Sequence, residues 1–181
     1  MNSFHELVRH RRSYRKFTSE PIDPDQVRLI LEAALMAPAG KRRNPWHFVV
    51  VENRETLAAL SRAKDQGAAP LAEAPLAVAV TAHPMASDTW VEDLSIATIL
   101  MQLQAADLGL GSVWIQMRDR EDSDGTPATY HCARLLGLPE GYEVLDVLAI
   151  GHPAEERRPY DTDRLMWERV HIETFQSPEQ S

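Results

Sequence analysis

The sequence predicts a layered fold of the α/β or α+β class, and three observations lead there. Short apolar runs with strand character, at 47–51, 76–81, 112–117 and 142–150, alternate with segments of helical periodicity. No Pro/Gly/Ser-rich linker and no internal repeat divides the chain, so its 181 residues are expected to form a single domain, 1–181. With 44% hydrophobic and 25% charged residues the composition is that of an ordinary globular protein. A chain of this length buries roughly 70% of its unfolded surface and holds a core without staples.

Each element has its own signal. Asn2 or Ser3 caps a first helix with Phe4, Leu7 and Val8 on one face. Asp23 caps a second, with Pro24 at its first position and Gln26 three after the cap. That helix carries Val27, Ile30, Leu31, Ala34 and Leu35 and stops before Pro38-Ala39-Gly40. His47–Val51 reads as a buried strand, Arg54–Lys64 as a modest helix, and Leu76–Thr81 as a second strand introduced by Ala74-Pro75. Asp88–Leu108 is the longest helical pattern and is apolar over most of its circumference, which requires a central position or a partner subunit. Gly109 and Gly111 end it, and Ser112–Met117 is the third strand. A polar loop, Arg118–Gly125, precedes a helix ending near Leu136-Gly137, and Tyr142–Ile150 is the fourth strand, closed by Gly151. The tail, about 155–181, is polar and has no obvious core of its own.

The net charge of −8 argues against a dedicated nucleic-acid binder. Positive charge is nevertheless concentrated. Arg9, Arg11, Arg12, Arg15 and Lys16 fall in one short span, Lys41-Arg42-Arg43 in a second and Arg157-Arg158 in a third, together more than half of the nineteen Lys and Arg. Local clusters on an acidic background suit a small anionic ligand rather than a polyanion. No apolar run reaches the ~18–20 residues of a membrane helix, and no secretory signal is recognisable at the N-terminus. A single cysteine, Cys132, rules out an intrachain disulfide and a cysteine-based zinc site, and points to a reducing cytoplasm.

Several chemical motifs fail on context. Gly109-Leu110-Gly111 follows a helix and opens a strand, the reverse of a dinucleotide fingerprint, and reads as a helix C-cap. No Gly-x-Ser-x-Gly elbow supports a serine nucleophile. Adjacent His131 and Cys132 point in different directions on a helix, and the histidines lack metal-ligand spacing. Two stretches remain. In Arg11-Arg12-Ser13-Tyr14-Arg15-Lys16-Phe17 a hydroxyl sits among guanidinium forks, which is good phosphate chemistry as well as a plausible solvated helix end. In Pro38–Phe48, Ala39-Gly40 permits close approach of backbone to a ligand, and Asn44 is expected to be extended ahead of Pro45.

Taken together and in order, these stretches resemble the nitroreductase family of FMN-dependent oxidoreductases. Arg11–Phe17 matches the family's Arg-Arg-Ser-x-Arg-x-Phe, and Pro38–Phe48 fits the length of its Pro-Ser-Ser/Gly-x-Asn-x-Gln-Pro-Trp-x-Phe loop. Leu108–Ile115 looks like its Leu-Gly-Leu-Gly-x-x-Trp-Ile, and Pro139–Tyr142 leading to Ala149–Glu156 looks like its closing strand. The chain departs from the pattern at Ala39, where Ser is common, at Arg42, where Asn is usual, and at Asn44, where Gln is usual. Lys41-Arg42-Arg43 also makes the mouth more basic than is usual in the family.

The resemblance implies an α+β, three-layer α-β-α sandwich with a central mixed sheet, in a domain-swapped homodimer whose 155–181 tails wrap the partner. It implies FMN at the subunit interface, with Arg11, Arg12, Ser13 and Arg15 holding it, some on the phosphate and Arg15 at the pyrimidine edge. Pro38, Ala39, Gly40 and Arg42 of the other subunit would approach the isoalloxazine. Trp114, Ile115 and Gln116 would line its other face with a backbone N–H near N5, and Arg157 or Arg158 would complete the phosphate site. The implied activity is ping-pong transfer of hydride from NAD(P)H through flavin N5 to a small-molecule acceptor such as a nitroaromatic or quinone. No catalytic side chain and no metal is required, because the cofactor does the chemistry and the protein supplies position and electrostatics. A guanidinium at the N1/O2 edge stabilises the anionic reduced flavin. The competing readings are a non-catalytic anion- or nucleic-acid-binding module, which needs stacking aromatics that only Tyr14 supplies, and a dehalogenase or enoyl reductase on the same scaffold.

Overall fold

Capping signals open the first two helices of the structure, a computed structural model that describes residues 3–176. Helix α1 (Phe4–His10) starts at Ser3, whose hydroxyl accepts from the Glu6 N–H at 3.2 Å; Asn2, the alternative cap, lies outside the described residues. Helix α2 (Pro24–Leu35) starts at Asp23, whose carboxylate accepts from the Asp25 N–H at 2.8 Å. There follow β1 (His47–Val51), α3 (Arg54–Leu60), α4 (Pro70–Glu73), β2 (Leu76–Ala82), α5 (Trp90–Asp107), β3 (Gly111–Gln116), α6 (Ala128–Leu136) and β4 (Glu143–Gly151). Two helices differ from expectation. α3 ends at Leu60 rather than Lys64, and α4 has no counterpart in the sequence reading because four residues are too few to show a helical period.

The strands form one sheet in the order β1-β2-β4-β3. Its three ladders are all antiparallel, which corrects the expectation of a mixed sheet for this chain. β2 and β3 do run the same way, joined through α5, but β4 inserts between them and separates what would have been a parallel pair. Among the described residues, parallel pairing survives only as an isolated bridge between Ser13 and Ser112.

Side-chain alternation divides the core between two faces. Val78, Val80, Leu148 and Ile150 pack with Ile30 and Ala34 of α2 and Leu94, Ala97 and Met101 of α5. Ala77, Ala79, Val113, Ile115, Val147 and Ala149 pack with Leu57 and Leu60 of α3, Leu71 of α4 and Cys132 of α6. The result is the expected three-layer α-β-α sandwich. Both faces are covered, so β2 is buried along its whole length and reads as one apolar run.

α5 is two-faced in the protomer. Leu94, Ala97, Thr98, Met101 and Ala105 are buried toward the sheet, while Ile96 and Ile99 on the opposite side stay exposed. It ends as the sequence suggested. Gly109 takes φ 77°, the Leu110 N–H donates to Ala105 O at 2.8 Å and the Gly109 N–H to Ala106 O at 3.1 Å, the paired bonds of a glycine-terminated helix.

One carboxyl is sealed in this core. Asp146 of β4 is fully buried; its Oδ2 lies 3.0 Å from Thr98 Oγ1, and Oδ1 has no partner among the described residues. Thr98 Oγ1 is also 3.0 Å from Leu94 O. A hydroxyl has one proton, so a protonated Asp146 donating to Thr98, which donates on to Leu94, satisfies the chain. Burial pushes this carboxyl well above the usual carboxylate range. A raised folded-state pKa stabilises the fold below the unfolded value near 4 and loses that contribution as pH rises toward the folded value. Asp146→Asn, which keeps a donor and cannot ionise, is therefore expected to gain stability relative to wild type between pH 5 and pH 8. Urea midpoints of both proteins at the two pH values check this.

Candidate functional site

The Arg-Ser-Arg stretch is a strap rather than a helix end. α1 closes where the Arg11 N–H donates to Leu7 O, and the chain then runs along the outer edge of β3, where the Tyr14 N–H donates to Ser112 O at 3.0 Å. It continues past the end of β4, with Phe17 buried, the Thr18 N–H on His152 O and the Ala154 N–H on Lys16 O. An added Cβ at Gly111 would lie 2.9 Å from Tyr14, so the strap sits directly on the start of β3. The 158–160 segment returns over it. Arg12 Nη1 donates to Arg158 O at 2.8 Å and its guanidinium lies 4.3 Å from the Tyr160 ring centre, while the Tyr160 N–H donates to Arg9 O.

These contacts sort the candidate cations. Arg12 is committed to the 158–160 segment, and Arg157 pairs with Glu155 through Nε at 3.1 Å and Nη2 at 2.7 Å. That guanidinium holds the Glu155 carboxyl below its ordinary range. Arg11, half-buried, and Arg15, exposed, have neither a side-chain hydrogen bond nor a carboxylate within 4 Å among the described residues, and Arg158 is likewise free of an ion pair. Ser13 is half-buried between them, and a cavity of about 180 Å³ opens beside Arg11, Tyr14 and Ser112.

Along β3 the structure separates the three predicted residues. Trp114 and Gln116 lie on the α5 face, tied by Trp114 Nε1 donating to Gln116 Oε1 at 2.9 Å. Ile115 points the other way and is buried in the core under α3 and α6. Ser112 turns its carbonyl outward to the strap, so backbone alternation turns the amides of Trp114 and Gln116 to the same open edge, and those of Val113 and Ile115 inward to β4. The Ile115 backbone is thereby committed to the sheet. Lys64, which sequence reasoning missed, closes this edge: its Nζ donates to Gln116 O at 2.7 Å. Burial, with the Arg120 charge second, lowers its pKa from the ordinary lysine range. No spacing could have revealed it, since the two residues stand 52 apart in the chain with α4, β2 and α5 between them.

The second loop sits elsewhere. Gly40–Arg42 form a 3₁₀ turn, and the Gly40 N–H donates to Asp93 Oδ1 at 2.8 Å. Lys41 and Arg43 each approach Asp88 at 3.8 Å, while Arg42 has no carboxylate within 4 Å among the described residues. Pro38 is exposed and Ala39 half-buried. Asn44 is not extended: its φ is 46°, a left-handed value that asparagine tolerates better than most residues, and the turn places it there so that Pro45 and Trp46 can bury. This loop packs on the first turn of α5 and the strap faces its last turn. From Asp93, which holds the loop, to Ala106 and Asp107, which face the strap, the helix runs about 20 Å at 1.5 Å per residue.

The rejected nucleophile stays rejected. His131 Nε2 meets Asp122 Oδ2 at 2.7 Å, and the Cys132 thiol is buried and pushed up to about 12 by desolvation.

Known proteins resemble this chain over nearly its whole length. Residues 8–82 and 64–152 match the model described as the Nitroreductase family. A protein of Archaeoglobus fulgidus named as an NADH dehydrogenase/NAD(P)H nitroreductase is 36% identical over 175 residues, 94% of this chain and 97% of its own. An FMN-dependent nitroreductase structure from Clostridium difficile superposes with a TM-score of 0.91 at 38% identity, covering 93% of this chain and 98% of its own. The structure of an NADPH:FMN oxidoreductase from Vibrio harveyi complexed with NAD+ gives a TM-score of 0.80 at 25% identity, covering 97% of this chain and 79% of its own.

Proposed function

The chain belongs to the nitroreductase family, and from that premise we propose that it is an FMN-dependent NAD(P)H oxidoreductase that acts as a homodimer on a small-molecule acceptor. The observation that carries this reading is the pair of uncompensated guanidinium groups, Arg11 and Arg15, on a strap that meets the edge of β3 at Ser112, the edge to which the amides of Trp114 and Gln116 also turn. That donor set fits a flavin mononucleotide: cations and the Ser13 hydroxyl for a phosphate, and strand amides for the polar edge of a planar ring. Arg158, whose charge is free, is a better phosphate ligand than Arg157, which Glu155 neutralises. Arg12 serves by holding the 158–160 segment in place. When bound, FMN would supply the redox chemistry, hydride transfer from NAD(P)H to an acceptor such as a nitroaromatic or quinone.

The Pro38, Ala39, Gly40 and Arg42 segment supports the dimeric form of the site. About 20 Å of helix separates it from the strap of its own protomer, too far for both to close on one planar ring. A second copy related by a two-fold axis can bring its loop to this strap. Among the described residues no helix is long and apolar enough to cross a membrane, and the cytoplasm remains the expected compartment.

The test is an absorption spectrum of the purified protein reconstituted with FMN. Bound flavin bands that bleach under NADH or NADPH without oxygen, and return on adding a quinone or nitroaromatic, are the expected result. A protein that retains no FMN after gel filtration, or whose bound flavin neither nicotinamide reduces, overturns the proposal.

A further inference from the structure

We infer that Asp93 is the positioning residue that fixes the shape of the Pro38–Asn44 loop, acting through a seat for the Gly40 amide; the inference rests on the reading that this loop borders the cofactor. Asp93 is 3% exposed at the start of α5, and both of its oxygens are used. Oδ1 accepts from the Gly40 N–H at 2.8 Å, and Oδ2 accepts from the Ser87 and Thr89 hydroxyls at 3.1 Å each. No cation lies within 4 Å of it among the described residues, so three aimed donors satisfy a buried carboxylate.

The seat is tight as well as polar. A Cβ at Gly40 would fall 2.4 Å from Thr89 Oγ1, so only glycine brings its backbone this close. Beyond it, Lys41, Arg42 and Asn44 hold φ values of 51°, 56° and 46°. Such conformations are uncommon for residues with a side chain and persist where their surroundings over-determine them. Buried Pro45 and Trp46 anchor the loop on one side. On the other, the Asp88 pairs with Lys41 and Arg43 are exposed and long, and Arg43 Nη1 reaches Ala86 O only at 3.4 Å. Asp93 is therefore the buried anchor there. It holds the backbone from which Arg42, the loop's cation without a carboxylate, projects.

Trypsin reads the loop directly, because Lys41, Arg42 and Arg43 are its cleavage sites. Asp93→Ala is expected to raise the rate of cleavage at 41–43 at least tenfold in the folded protein, with sites such as Arg62 unchanged. Asp93→Asn keeps the acceptor for Gly40 and, with both hydroxyls turned to accept, should restore most of the protection. Gly40→Ala should open the loop as Asp93→Ala does, and adding Thr89→Ala should close it again; this pair decides the matter if Asp93→Ala fails to fold. In FMN-reconstituted protein Asp93→Ala should also raise the FMN dissociation constant at least tenfold and shift the flavin absorption bands, with Asn rescuing both. Cleavage that does not rise, or that rises equally at all sites, overturns the inference. So does an opened loop with unchanged FMN affinity and spectrum. Should the wild type take up no FMN, the functional reading fails, while the protease pattern still shows whether Asp93 clamps the loop.

Discussion

Replacing Arg11 and Arg15 together with alanine is expected to strip the protein of FMN while leaving it folded. Neither guanidinium has a carboxylate within 4 Å or a side-chain hydrogen bond among the described residues, so neither contributes a native contact whose loss would unfold the chain. Surface changes of this kind stay within about 0.5 kcal/mol. Toward an anionic ligand the same groups are strong donors, each charge-assisted hydrogen bond contributing roughly 1.5–3 kcal/mol. Losing two should weaken FMN by at least about a hundredfold. Thermal unfolding of the apoprotein and fluorescence titration with FMN measure the two effects separately. The single change Arg15→Ala should additionally lower the reduction potential of bound flavin, because a fixed positive charge favours the anionic reduced form. An unchanged FMN affinity in the double variant would remove the strap from the site.

What the sequence disclosed and what it hid divide along contact range. The caps at Ser3 and Asp23, the glycine end of α5 and the four strands are local, governed by backbone groups within four or five residues, and they stand where the residues placed them. The three-layer sandwich was an implication of the family resemblance, and strands buried on both faces, which need helices on both sides, are its physical reason. The arginine strap was legible as a charge anomaly. Its path was not: that Ser13 would bridge Ser112 at a sheet edge depends on which strand lies outermost, and strand order is a long-range property. The same limit hid the all-antiparallel pairing, since β4, last in the chain, inserts between β2 and β3.

Three polar residues escaped for a further reason. Asp93, Lys64 and Asp146 are ordinary surface types in composition, and their spacing carries no motif. What distinguishes them is burial against a backbone group or a hydroxyl contributed from elsewhere in the chain: Gly40 for Asp93, Gln116 for Lys64, Thr98 for Asp146. Ile115 and Gln116, by contrast, were named together and parted by the pleat. Neighbours on a strand face opposite ways, so one faces the core under α3 and α6 while the other faces α5, with its amide on the open edge. The period of two was available in the sequence; which phase was outward was not.

Ile99→Glu is expected to give a colourless monomer. Ile96 and Ile99 stand one helical turn apart on the outer face of α5, 37% and 39% exposed, at the centre of the longest helix in the protein. Farther along the chain Trp167 and Phe175 are 67% and 78% exposed, on a tail whose backbone is tied to the body through Tyr160 and Arg9. Apolar groups left open in this number mark a surface meant for a partner. A two-fold dimer sets the same helical face against its own copy, so one substitution introduces two carboxylates near the axis. Uncompensated buried charge costs about 3–5 kcal/mol per site, enough to shift dimer dissociation by roughly four orders of magnitude or more. In the proposed dimer, losing the second copy would take from each strap the loop proposed to complete its site, and flavin should leave with it. Sedimentation and visible absorbance should therefore change together. A variant that stays dimeric and yellow would place the interface elsewhere. One that becomes monomeric yet stays yellow would show that a single chain suffices to hold the cofactor.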